Sequence, residues 1–171
     1  MSDETERDSH TNLWNRLSCL RLLAQQLCGS PAAPAAVYIV DIDHLRQIDE
    51  KYGLNTGDDV LLEFAARLRA EIKGEGVVGR WSGNEFFVML RGADEKRACA
   101  VAEALCKVIR RTPFTPSLVY QFPGIPVTTT IGVACCPPHG PTADDVVRAA
   151  DMALRGAKSD DQRGTWRLAR A

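Results

Sequence analysis

The chain has 171 residues, of which 45% are hydrophobic and 25% charged, a balance that excludes disordered, collagen-like and mucin-like classes and suits a globular core. Twenty-one Lys+Arg against 22 Asp+Glu give a formal charge of −1, so there is no overall basic field for a nucleic-acid backbone. No run approaches the ~20 apolar residues that span a bilayer, and the chain opens polar and acidic, so no membrane association and a cytoplasmic location are expected.

Residues 1–7 read as a polar tail and residues 8–171 as a single domain. Leu13, Leu17, Leu20, Leu23, Ala24 and Leu27 recur at helical spacing until Gly29 and Pro31 stop the pattern, which gives a first helix. The Pro-Ala run at 31–36 reads as a loop. Ala36 to Asp43 is short, continuous and β-rich: a buried central strand that delivers Asp41 and Asp43 at its C-terminal end. A short helix follows, ending near Gly53. Leu61, Phe64, Ala65, Leu68 and Ile72 mark a longer helix after Gly57-Asp58, with Thr56 or Asp58 as its N-cap.

Val77 to Trp81 and Phe86 to Leu90 flank the turn-forming Ser82-Gly83-Asn84-Glu85 and predict a β-hairpin beside the first strand, which places Asp41 near Glu85. Residues 94–111 form an amphipathic helix that Thr112-Pro113 ends. Val119 to Phe122 and Val127 to Ala134 predict a second hairpin, and Thr142 to Asp145 opens a last helix through Ala157. Thr165 to Leu168 predicts an edge strand. The order describes an α+β fold: a mostly antiparallel sheet around a βαββαβ core, flanked by helices. The six cysteines lack CxxC spacing and only three histidines accompany them, so reduced, mostly buried thiols are expected rather than a metal site.

Paired acids at a strand end hold Mg²⁺ against a triphosphate in phosphoryl-transfer enzymes, because hard oxygen ligands suit that ion. The residues alone also allow a plainer reading, in which Asp43 caps the following helix and Asp41 makes local hydrogen bonds.

Arg80-Trp81-Ser82-Gly83-Asn84-Glu85-Phe86 resembles the signature hairpin of the GGDEF family, the diguanylate cyclases that condense two GTP into cyclic di-GMP. Asp8 to Arg16 resembles the family's entry segment, Asp41 to Asp58 its DxD-to-GD stretch, Thr130 to Ala134 its SIGVA strand, and Ala150 to Lys158 its ADxALYxAK helix. The resemblance implies a nucleotidyl-cyclase-like fold with a central five-stranded sheet. It implies metal ligation (Mg²⁺ or Mn²⁺, when nucleotide is bound) by Asp41, the Ile42 carbonyl, Asn84 and Glu85, with Glu85 also implicated in activating the attacking hydroxyl.

Asn84 stands where the family has an acid: it offers one neutral oxygen and removes a full negative charge. Ser82 replaces the first signature glycine. Guanine recognition falls on Asp49, in place of an Asn, and on the retained Asp58. Asp49 accepts from the guanine 2-amino group but cannot donate to ring N3. A solvated helix residue at Asp49 and a helix cap at Asp58 are the plainer alternatives. Phosphate contacts fall on Arg46, which replaces a Lys, and on Lys158. Arg163 matches the family's later Arg only loosely, in what reads as a solvated charged turn.

The product-inhibition RxxD falls on Lys73 to Gly76 and is missing, so no inhibitory site is expected. Only about seven residues precede the entry segment, so this chain is expected to carry no sensory or phosphoacceptor segment. The resemblance also implies that catalysis needs two GTP-loaded domains face to face. Taken together, the expectation is a catalytically impaired GGDEF domain in cyclic di-GMP signalling, binding GTP or a related guanine nucleotide, or another signalling protein, and at most a weak homodimer. The alternatives are an active diguanylate cyclase using Mg²⁺, and a scaffold with an empty pocket.

Overall fold

The computed structural model describes residues 6–28, 34–117 and 124–170. Five helices and five strands follow in the order α1 (Arg16–Leu27), β1 (Ala35–Ile42), α2 (Leu45–Tyr52), α3 (Leu54–Ile72), β2 (Gly76–Ser82), β3 (Glu85–Arg91), α4 (Glu95–Arg111), β4 (Thr129–Cys136), α5 (Ala143–Ser159) and β5 (Trp166–Leu168). The sheet runs β2-β3-β1-β4-β5; its first three pairings are antiparallel and β4 with β5 is parallel. The α+β fold and its mostly antiparallel five-stranded sheet are as the sequence predicts.

β1 lies in the middle of that sheet, and both of its faces are covered. Ala36, Tyr38, Val40 and Ile42 face one core with α3 and α4, while Val37 and Ile39 face a second core with α1 and α5. Burial on both sides is why the strand reads as an unbroken apolar run instead of an alternating one. The two-residue period also carries Asp41 and Asp43 onto the α1/α5 face. The hairpin is anchored by Phe86, whose ring lies 5.2 Å from that of Phe64 on α3, and Phe64 in turn stacks with Phe114 at 6.3 Å.

Asn15, Asp94 and Thr142 cap α1, α4 and α5 by accepting from Ser18, Arg97 and Asp145 backbone N–H groups. Three predicted boundaries change. Leu13 is core but precedes α1, because Asp8 ties the entry segment into a turn by accepting from the Thr11 amide and hydroxyl. α3 starts at Leu54 behind Gly53, whose φ of 92° suits a residue without Cβ; Thr56 and Asp58 therefore sit inside the helix and neither caps it. β4 pairs with β1 and β5 and is no arm of a second hairpin; Val119 to Phe122 lie outside the described residues. All six cysteines are free thiols, four of them buried. Among the described residues no helix is long and apolar enough to cross a membrane.

Candidate functional site

The C-terminal end of β1 meets the hairpin tip, the start of β4 and the last turn of α5. Asp41 pairs in register with Glu85 across β1 and β3, as the predicted neighbouring of strand and hairpin requires. Its carboxylate is buried and takes two donors on one oxygen: Lys158 Nζ at 2.8 Å and Asn84 Nδ2 at 2.8 Å. Burial pushes the Asp41 carboxyl above the usual range, and the Lys158 ammonium opposes that shift. The Asn84 amide nitrogen reaches the Ile42 carbonyl as well, at 3.2 Å.

Asp43 is held differently. It accepts from the Thr128 hydroxyl at 2.7 Å, the Thr130 hydroxyl at 2.6 Å and the Gly164 amide at 3.0 Å, with Arg163 Nη1 3.8 Å away. It does not cap α2. The residue before that helix is His44, in a left-handed conformation and without a side-chain cap bond; its backbone carbonyl accepts from the Gln47 amide at 2.9 Å. Asp41's partners are likewise not local, and the plainer reading of both acids fails.

The hairpin tip is braced from within. Arg80 donates to the Ser82 and Gly83 carbonyls and lies over the Phe86 ring, while the Ser82 hydroxyl donates to Glu85 at 2.7 Å. Burial draws the Arg80 guanidinium down, Asp8 and Asp58 pull it up, and its Nη1 is buried without a hydrogen-bond partner. Gly83 has open space above its Cα, with nothing within 4 Å of a Cβ built there. Arg80 is a structural residue of the site whose signal in the sequence is its place two residues before the turn.

The two guanine candidates come together at the α2–α3 junction. Asp49 is half-buried with its carboxylate over Gly57, where a Cβ would lie 1.6 Å from its Oδ1, so it is no freely solvated helix residue. Burial and then the charges of Asp58 and Glu50 push its carboxyl upward. Asp58 is exposed, with His10 Nε2 3.7 Å away. Of the phosphate candidates, Lys158 is at the site with its side chain 25% exposed. Arg46 is 90% exposed and turned to Glu50 on its own helix at 2.9 Å. Arg163, in the turn read as solvated, reaches Asp43 with its Nη1 at 3.8 Å.

The donor set does not fit the metal that the resemblance implies. Mg²⁺ needs oxygens at about 2.0–2.1 Å. Asn84 turns an N–H toward both the Asp41 carboxylate and the Ile42 carbonyl, the two oxygens such an ion would use, and Glu85 accepts from Ser82. Among the described residues no three His, Cys, Asp or Glu side chains are grouped to hold a metal ion.

The family model described as "Diguanylate cyclase, GGDEF domain" matches residues 5–164. The chain is 31% identical to the probable diguanylate cyclase DgcT of Escherichia coli K12 over 153 residues, covering 89% of this chain and 33% of DgcT. Among solved structures, the GGDEF domain of TpbB (YfiN) from Pseudomonas aeruginosa superposes with a TM-score of 0.88 at 30% identity, covering 96% of this chain and 94% of that one. The diguanylate cyclase SiaD of the same organism, solved with its activator SiaC, superposes at 0.84 with 26% identity, covering 95% of this chain and 61% of SiaD. The chain thus spans about a third of the curated relative it matches.

Proposed function

The chain belongs to the GGDEF domain family, and on that premise we propose that it acts in cytoplasmic cyclic di-GMP signalling as a guanine-nucleotide-binding domain with impaired cyclase activity. The observation that carries the reading is Asn84, which donates to the two oxygens a cyclase would turn to its metal. A carboxylate there would repel Asp41 and draw in a cation; the amide instead satisfies Asp41 from within. Each 1.36 kcal/mol lost from transition-state stabilisation is a tenfold loss of rate, so even a modest deficit at this position leaves little turnover.

Nucleotide binding is supported by the parts that remain. Asp49 and Asp58 place two acceptors at one junction, the pattern that suits the adjacent N1–H and 2-amino donors of guanine. The start of α2, which has no side-chain cap, and the Lys158 ammonium lie at the Asp41 end and suit phosphate oxygens. SiaD's complex with its activator makes a protein partner the second arm of the proposal, one that the nucleotide-bound state of this domain would tune.

Calorimetry with GTP and ATP tests the base assignment: GTP is expected to bind and ATP to bind at least about tenfold more weakly, and equal affinities remove Asp58 from its role. Chromatography of a concentrated reaction with GTP and Mg²⁺, with Glu85→Ala as the blank, tests the impairment. Robust cyclic di-GMP from the wild type, lost in the blank, makes the chain an active cyclase; the retained Asp41–Glu85 register is the observation on that side.

A further inference from the structure

Resting on the reading that this pocket takes a guanine nucleotide, we propose that Lys158 and Asn84 together replace the divalent cation at the Asp41 end, so that the nucleotide's phosphates are held without Mg²⁺. Three features of the strand end lead there. The first is occupancy: a single nitrogen, Asn84 Nδ2, sits 2.8 Å from Asp41 Oδ2 and 3.2 Å from the Ile42 carbonyl, so an ion entering between those oxygens has to expel it. The expelled amide would then have to rotate its oxygen inward, beside a carboxylate and a carbonyl.

Charge is the second feature. With a neutral residue at 84, the Asp41 carboxylate is paired with Lys158 at 2.8 Å and one negative charge fewer stands beside Asp43 and Glu85, so the call for a divalent ion is smaller by that charge. The deeper acid is satisfied too: Asp43 has two hydroxyls and one backbone amide on its oxygens, with Arg163 behind them. Buried carboxylates demand compensation, and here every part of it comes from the chain itself.

Geometry toward the ligand is the third. An ammonium has three donor positions, and Asp41 uses one of those on Lys158. Its side chain keeps a quarter of its surface open, and the last turn of α5 holds it in place because α5 packs tightly on β4, where Gly132 leaves no room for a side chain. A tethered ammonium beside a carboxylate offers phosphate a fixed point charge, as a bound ion does, while costing nothing in ion recruitment.

The test is a GTP titration of the whole chain by calorimetry, once with Mg²⁺ and once with EDTA. The dissociation constants are expected to agree within about twofold. Restoring the acid with Asn84→Asp is expected to make binding weaken at least about tenfold in EDTA, because two carboxylates then face the phosphates without an ion. Lys158→Met is expected to lose binding in both buffers. A measurement that needs no nucleotide accompanies these: the electron paramagnetic resonance signal of free Mn²⁺ is expected to be undiminished by the wild-type protein and to be depleted by Asn84→Asp.

Wild-type binding that falls tenfold or more in EDTA, or stoichiometric Mn²⁺ uptake by the wild type, overturns metal replacement and leaves nucleotide binding standing. Absence of GTP binding in both buffers overturns the nucleotide reading, and the phosphate role of Lys158 falls with it.

Discussion

Gly132→Ala probes the contact that fixes α5, and with it Lys158, against the sheet. A Cβ at residue 132 would lie 2.0 Å from the Ala150 carbonyl oxygen, 2.5 Å from the Leu154 nitrogen and 2.8 Å from the Leu154 Cβ. Two of those atoms are helix backbone, so no side-chain rotation relieves the clash and α5 must retreat by roughly 1 Å. That helix buries Val146, Ala150, Ala153, Leu154 and Ala157, worth roughly 6 kcal/mol by transfer from water. A gap of that size forfeits about a quarter to a half of dispersion contact. The expected loss is about 1.5–3 kcal/mol, the same size as typical overpacking costs of about 1–3 kcal/mol.

With a urea m-value of about 2 kcal/mol/M, the unfolding midpoint is expected to fall by about 1 M. Gly83→Ala is the matched control: its Cβ meets nothing within 4 Å, and its effect is expected to stay within about 0.5 kcal/mol. An unchanged midpoint for Gly132→Ala, or an equal fall for Gly83→Ala, refutes the close-packing argument and with it the rigid placement of Lys158.

Arg67 ties α3 to the end of α4 by donating to the Ile109, Thr112 and Pro113 carbonyls while lying 3.8 Å from the Phe114 ring centroid, so Arg67→Lys is expected to cost about 1–3 kcal/mol and several degrees of melting temperature. For Asp8, burial raises the carboxyl, but the Thr11 hydroxyl and amide and the Arg80 charge outweigh it and hold the group below its usual range. A depressed acid stabilises above its unfolded pKa and loses that contribution as pH falls through the folded one; the stability gap between wild type and Asp8→Ala, followed by urea unfolding, is therefore expected to be widest near neutrality and to close below about pH 4. Burial pushes the Cys19, Cys106 and Cys135 thiols up to about 12, whereas Cys28 is exposed, so a thiol reagent at pH 8 is expected to label Cys28 first and those three only on unfolding; fast release from several thiols in the native protein contradicts the burial pattern.

What could be read from the sequence follows from how local each signal is. β1, the hairpin and α4 announce themselves through runs and periods of a few residues, and the turn at Gly83-Asn84 through its composition. The start of α3 does not, because Gly57 and Asp58 look like a boundary, whereas the junction that stops α2 is Gly53 with its positive φ. The grip on Asp43 was out of reach for another reason: its hydroxyl partners are 85 and 87 residues away, and only the β1–β4 register brings them together. Arg46 matched a pattern position, yet its helix offers Glu50 one turn on, and an exposed cation takes the nearest acid.

Asn84 is the sharpest case, since the identity of the substitution was plain and its consequence was not. The amide carries both an acceptor and a donor, and the sequence supports either end toward the metal position. Only the fold decides: β1 presents a carboxylate and a carbonyl to the hairpin tip, both acceptors, so the nitrogen turns inward. The same reasoning explains why the fold accommodates the change. Asp41 stays buried at the centre of the sheet whatever stands at 84, and a buried carboxylate left alone would cost several kcal/mol. With Lys158 on one side and Asn84 on the other, that cost is met before any ligand arrives, by two groups that the chain itself brings to the Asp41 carboxylate.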